Sequence, residues 1–240
     1  MREVMLKPTF EKPLAFSLLR VPFFLEPDYP EDESFEETNK TRLQRKWGGA
    51  AEFEAQKTRH RLKERGHEVG IEHFTNERIA SSTMASHCLV QWVTREYGPT
   101  VAEALYADLN VHHFERGHKL NDAEFLADRA AAVGVDRGAA LDVARNKVGK
   151  DRIMAAQAWL RGVGISSIPS FIIAGQYFVG GAERSGTFVD IFRSLEQVAA
   201  EDPTEDLSQF RLADALGIPA GRLAAPLALP PYFAPVAARA

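Results

Sequence analysis

Gly162-Val163-Gly164-Ile165-Ser166-Ser167-Ile168-Pro169-Ser170-Phe171-Ile172-Ile173-Ala174-Gly175-Gln176-Tyr177-Phe178-Val179-Gly180-Gly181 is the stretch on which the fold turns. Two β-rich runs, Ser170–Ala174 and Gln176–Val179, flank Gly175 and predict a hairpin. Pro169 stands just before the first run, and proline is not tolerated in a central strand. It either opens the strand or marks a cis peptide kept for a purpose. The local residues leave both readings open.

Outward from the hairpin, the chain is rich in helical signals. Behind it, Ser185–Ala200 carries Phe188, Ile191, Phe192, Leu195 and Val198 on one face of an amphipathic helix. Ahead of it, Ser82 to Arg161 reads as almost entirely helical. Ser82 or Thr83 caps a helix running to Tyr97, with Met84, Cys88, Leu89, Trp92 and Val93 as its apolar face. Thr100 with Glu103, and Asn121 with Glu124, have the spacing of capping boxes. Helices are expected from Thr100 through Phe114, from Asn121 to Gly134, over about Arg137–Asn146 and over about Asp151–Leu160.

The N-terminal part is more mixed. Val21-Pro22-Phe23-Phe24-Leu25 reads as a strand closed by Pro27, Asp28 and Pro30. A helix is expected from about Ser34 to Trp47, ended by Gly48-Gly49. A second runs from Ala50 to Arg65, with Gly66 in the C′ position and mixed charges typical of a solvated face. Val69–Phe74 is a candidate short strand. Leu207–Leu216 is a candidate helix, and Ala224–Ala240 is an Ala/Pro-rich tail.

Composition bounds the function. The 240 residues are 45% hydrophobic and 26% charged, ordinary for a soluble globular protein with a sizeable core. A net charge of −4 gives no sign of a nucleic-acid or anionic-membrane surface. No apolar run approaches the length of a membrane span, and Arg20 and Pro22 interrupt the apolar Pro13–Leu25 stretch. Cys88 is the only cysteine, which excludes an internal disulfide and a CxxC pair and suits a reducing compartment. A cytoplasmic location is the default.

With these elements in order, the chain resembles the DsbA-like thioredoxin family, in the branch of FrnE-type oxidoreductases and 2-hydroxychromene-2-carboxylate isomerases. The matching residues are Val21-Pro22-Phe23-Phe24-Leu25-Glu26-Pro27-Asp28, Ser82-Thr83-Met84-Ala85-Ser86-His87, and Gly164-Ile165-Ser166-Ser167-Ile168-Pro169-Ser170-Phe171-Ile172-Ile173 with Gly180-Gly181-Ala182. The likeness covers about residues 20–200 and implies an α/β, thioredoxin-like fold with a helical insertion. It divides the chain into residues 1–80, an incomplete first part of the thioredoxin-like domain; 81–161, the helical insertion; 162–200, its closing hairpin and helix; and 201–240, a largely irregular tail.

In this family the proline matching Pro169 is cis, and the backbone of the residue matching Ile168 pairs with an extended peptide or glutathione. Ile168 and Pro169 are therefore the candidate binding residues, gripping a ligand by strand addition in miniature. The family's redox motif ends the first strand and opens the first helix, where a helix N-terminus would lower a thiol's pKa. Only 20 residues precede Val21 here, and none is a cysteine. The first strand is expected to be missing, its place taken by residues 1–12 or by another chain, or the chain being incomplete at its N-terminus or diverged; the last two are the preferred readings.

Three functional readings are compatible with this resemblance. The family implies a thiol–disulfide oxidoreductase, inactive here because both cysteines of the exchange are absent. An alternative is a non-catalytic module holding a peptide or glutathione at Ile168-Pro169. The third is a glutathione-dependent transferase or isomerase resembling the kappa class, whose serine Ser17 would have to match from a position uncomfortably near the Pro-Phe strand. No catalytic residue is assigned.

Other chemistry is not indicated. Cys88 reads as a buried core thiol, and His87 as a structural hydrogen bonder. His112, His113 and His118 lack the spacing of a metal set, and no metal is expected. Gly162, Gly164, Gly180 and Gly181 form no nucleotide-binding motif, so no cofactor is expected beyond glutathione as substrate or ligand. Expected partners are an extended peptide or a glutathione-like ligand, not nucleic acid or membrane. A homodimer is left open.

Overall fold

A computed structural model describes residues 1–11, 14–204, 207 and 211–224. Two helical bodies and a hairpin make the frame. The first body contains α5 (Met84–Tyr97), α6 (Pro99–Phe114), α7 (Ala123–Ala132) and α8 (Arg137–Asn146). Leu89, Val93, Leu105, Leu126 and Ala140 are fully buried where these helices meet. Asp122 and Asp136 cap α7 and α8 by accepting from the main-chain N–H of Phe125 and Ala139, a contact of about 1 kcal/mol each.

The second body joins α9 (Lys150–Gly162) to α11 (Arg211–Leu216) and α12 (Ala220–Leu223). Ile153, Ala156 and Leu160 pack there against Leu212, Leu216 and Leu223, with Cys88 and Met84 of α5 beneath. A third cluster seats α1 (Arg2–Leu6) on α10 (Ser185–Glu201) through Val4, Phe16, Phe192 and Leu195. The Phe16 and Phe192 rings meet edge to face at 4.9 Å.

The hairpin predicted around Gly175 is present as β3 (Ser170–Ile173) and β4 (Tyr177–Gly180), antiparallel with Ile173 opposite Tyr177. Ala174 and Gly175 both have positive φ, 51° and 66°, the handedness that matches the twist of the flanking strands. A separate two-residue pair, β1 (Glu37–Thr38) with β2 (Ile79–Ala80), ties the N-terminal region together.

Several expectations are corrected. Val21–Leu25 is irregular rather than a strand, because no strand lies beside it among the described residues. Val69–Phe74 is a run of turns rather than a strand, and the strand of this region is β2. The helix expected from Ser34 begins at Asn39 as α2 (Asn39–Trp47), since Thr38 supplies the cap by accepting from Thr41 N–H.

The single helix expected over Ala50–Arg65 is two, α3 (Ala50–His60) and α4 (Leu62–Glu68), broken at Arg61 with φ 46°. Gly66 lies inside α4 instead of ending a helix. A Cβ there would sit 3.4 Å from the Ile71 carbonyl oxygen and the Phe74 Cβ, an ordinary contact distance, so no steric need for the glycine is evident.

Neither capping box forms. Gly98 precedes α6 without a side-chain cap, and Glu103 turns instead to Arg20. Asn121 donates to the carbonyls of Asp32 and Phe35, leaving the cap to Asp122. Of the helix expected over Leu207–Leu216, the part from Arg211 is present. The tail expected over Ala224–Ala240 lies outside the described residues from position 225 on.

Candidate functional site

The site lies between two irregular stretches far apart in sequence. One is the Ile168–Pro169 loop, fixed at both ends. Ile165 N–H bonds the Leu160 carbonyl at the end of α9, and Gly181 N–H bonds the Pro169 carbonyl at 2.9 Å. The Ser170 hydroxyl bonds the Ser167 carbonyl at 2.7 Å within the loop. The Ile168–Pro169 peptide is cis. Ile168 is 49% exposed, unusual for an isoleucine held so firmly.

The other stretch is Leu14–Leu25. Side chains of α5 and α9, rather than a neighbouring strand, take its carbonyls. Gln91 donates to the Arg20 carbonyl at 2.7 Å, and Gln157 donates to the Pro22 carbonyl. His87 bonds the Phe23 main chain and packs edge-on against the Phe24 ring at 5.2 Å. His87 keeps some accessible surface yet is densely enclosed, and desolvation pushes its pKa down to about 4. It is neutral at pH 7.

Arg20 anchors the same stretch from outside. Its guanidinium grips Glu103 of α6 with two bonds, 2.7 and 2.8 Å, and lies 4.2 Å above the Tyr106 ring. Two parallel charge-assisted bonds fix direction as well as distance. The N-terminal stretch is thus held rigidly, although it belongs to no sheet.

Between the two stretches opens an apolar cleft of about 1860 Å³. Phe16, Phe23, Trp159, Ile168, Phe171 and Phe188 are among its lining residues. β3 is paired on one edge only, by β4, among the described residues. Its other edge has no strand partner among the described residues. Strand edges of this kind recruit polypeptide.

The structure places Ile168 on the cleft wall; Pro169, beside it, is not among the lining residues. Ser17 also lines the cleft, and its hydroxyl is buried without a partner among the described residues. Cys88 lies apart, fully buried in the second body, and burial pushes its thiol up to about 11. It is not a thiolate at neutral pH. Among the described residues no three His, Cys, Asp or Glu side chains converge as metal ligands. No described helix is long and apolar enough to cross a membrane.

Gln91 and Gln157 were not visible as site residues in the sequence. Their one signal is an amide among apolar neighbours: Gln91 between Val90 and Trp92, and Gln157 between two alanines. The aromatic lining was visible only as hydrophobic pattern.

A helical block, a closing hairpin with a proline before it and a final amphipathic helix define a thioredoxin-like protein with a helical insertion. The family model of the DSBA-like thioredoxin domain matches residues 20–193, most of the chain, and the chain belongs to that family. A crystal structure of a probable DsbA oxidoreductase from Streptomyces coelicolor superposes with a TM-score of 0.59. The two are 21% identical, with 76% of this chain and 75% of the other covered, so the likeness is one of fold. No curated protein is matched.

Proposed function

We propose that this chain is a DsbA-like protein of the thiol–disulfide oxidoreductase family, in its FrnE-type branch, that binds an extended peptide and by itself performs no dithiol exchange. The family match, together with the fold shared with the probable DsbA oxidoreductase of Streptomyces coelicolor, supports the first part. The second rests on Cys88. Exchange needs an accessible attacking thiolate and a second sulfur to resolve the mixed disulfide. One buried thiol of raised pKa offers neither.

The observation that carries the binding reading is the half-exposed Ile168 lining an apolar cleft next to β3, whose second edge has no strand partner among the described residues. A peptide laid there would gain main-chain hydrogen bonds and bury its apolar side chains in the cleft.

The test is calorimetric titration of the chain with an unstructured apolar peptide. Ile168→Pro, which removes the main-chain donor, and Pro169→Ala should each weaken binding about tenfold or more. Affinity unchanged in both variants would overturn the assignment of the edge. An insulin-reduction assay on the 240-residue chain should show no turnover above that of free thiol.

Ser17 favours a second reading. Its orphaned hydroxyl in the cleft wall is a donor with no protein acceptor among the described residues, as a kappa-like glutathione site would require. Glutathione conjugation abolished by Ser17→Ala would establish this reading; absence of conjugation by the unaltered chain would remove it.

A further inference from the structure

The end of α6 carries a cluster that the cleft does not use. Arg116, just past that helix, and Arg129 of α7 each donate an Nη1–H to one atom, Nε2 of His112, at 3.1 and 2.9 Å. None of the three residues lines the cleft. His112 is 7% exposed. Burial first, and then both guanidiniums, hold its pKa below the ordinary histidine value, with Asp108 opposing. The ring is therefore neutral at pH 7.

A ring nitrogen without a proton has one lone pair and suits one donor. Holding α6 to α7 would need one guanidinium there, and two are present. With Nε2 accepting, the ring proton sits on Nδ1, which is buried with no acceptor among the described residues. His112 is thus oversupplied at one nitrogen and unsupplied at the other, which costs free energy.

The charges are as uneven. Lys119, Arg137 and Arg145 each pair with a glutamate, at distances between 2.6 and 3.5 Å. Arg116 pairs with no carboxylate among the described residues; its one printed bond is to His112. Arg129 and His112 reach only Asp108, 3.9 Å from each and beyond hydrogen-bond distance. The result is a local excess of positive charge that solvent can reach, since Arg116 and His118 are exposed.

We infer that Arg116, Arg129 and His112 seat a phosphate-type dianion, free or as a monoester, at the junction of α6 and α7. A tetrahedral oxyanion has an oxygen for each guanidinium and a third for the imidazole. It gives both arginines a charged acceptor in place of a shared neutral one. It also reverses the ring: Nε2–H donates to the oxyanion, and Nδ1 no longer holds a buried proton without an acceptor. An apolar substituent on the phosphate would meet the rings of His118 and Phe125, stacked at 4.7 Å beside His112. Asp108 repels the anion and keeps its affinity modest.

The test is NMR of the full chain titrated with inorganic phosphate and, separately, with phenyl phosphate, at constant ionic strength in chloride. Saturation in the millimolar range is expected. At saturation His112 Nε2 should move from the nitrogen shift of a bare ring nitrogen to that of a protonated one. Arg116→Gln and Arg129→Gln should each weaken binding about tenfold, and Arg59→Gln, on the exposed face of α3, should not. Tighter binding of phenyl phosphate would assign the seat to a monoester; equal or weaker binding would assign it to the free anion. No saturation with either probe, affinity unchanged in both variants, or a His112 ring that phosphate leaves as it was would each overturn the inference. Shifts spread equally over basic residues elsewhere, Arg59 among them, would mean an adventitious ion only and would overturn it as well.

Discussion

Gln91, buried on α5, donates a 2.7 Å hydrogen bond to the main-chain carbonyl of Arg20, 71 residues earlier in the chain. This bond does for the N-terminal stretch what a neighbouring strand does in a sheet. Replacing it by Gln91→Leu leaves a shielded carbonyl without its donor, at a cost of about 1–3 kcal/mol. Chemical denaturation should show that loss in the midpoint with little change in slope. A variant as stable as the native chain would show that water takes over the carbonyl.

Arg20 and Glu103 hold the same stretch from outside. Glu103 is 3% exposed, but the Arg20 side chain is 40% exposed. Solvent therefore screens the pair and gives Arg20 an alternative partner. Glu103→Gln keeps one acceptor and should cost only about 1 kcal/mol. The sharper expectation is local: amide exchange at residues 18–24 should speed up more than in α7. Uniform acceleration throughout the chain would argue against a local anchoring role.

His87 makes the fold acid-sensitive. Its folded pKa, about 4, is below the ordinary histidine value, chiefly through burial, with the Phe23 bond opposing. His113, also held down to about 4 by burial, acts in the same direction. Between about pH 6.5 and 4 the unfolded chain binds more protons than the folded one, so stability falls as pH falls through this window. His87→Gln should flatten that slope in urea midpoints measured from pH 7 to 4.5. An unaltered slope would assign the acid response to other groups.

Cys88 should behave as an inert thiol. Full burial and a pKa raised to about 11 leave little thiolate and no access at pH 7.5. Ellman's reagent should react with less than a few per cent of the native protein over minutes and with the whole of it in denaturant. Rapid native labelling would contradict its place beneath α9.

Much of the fold was legible in the sequence because its signals are local. The helix read over Arg137–Asn146 is present with those bounds, since Asp136 caps it and the turn after it is left-handed at Lys147. The hairpin followed from Gly175 and its flanking β-rich runs. What failed depended on distant partners. Val21–Leu25 has strand residues, yet a strand exists only beside another strand. Thr100 and Glu103 have capping-box spacing, but Arg20, 83 residues from Glu103, claims the carboxylate. The candidate site was legible at Ile168, through the proline after it. The cleft was not, because its walls come from segments more than 140 residues apart.

The peptide-binding edge at Ile168 is most directly tested by backbone NMR. The native chain is titrated with an unstructured apolar peptide and its amide shifts are followed. The account predicts saturable shifts concentrated at Ile168, Ser170–Ile173 and residues 16–23. Saturable shifts confined to other surfaces, or none at all, would contradict it.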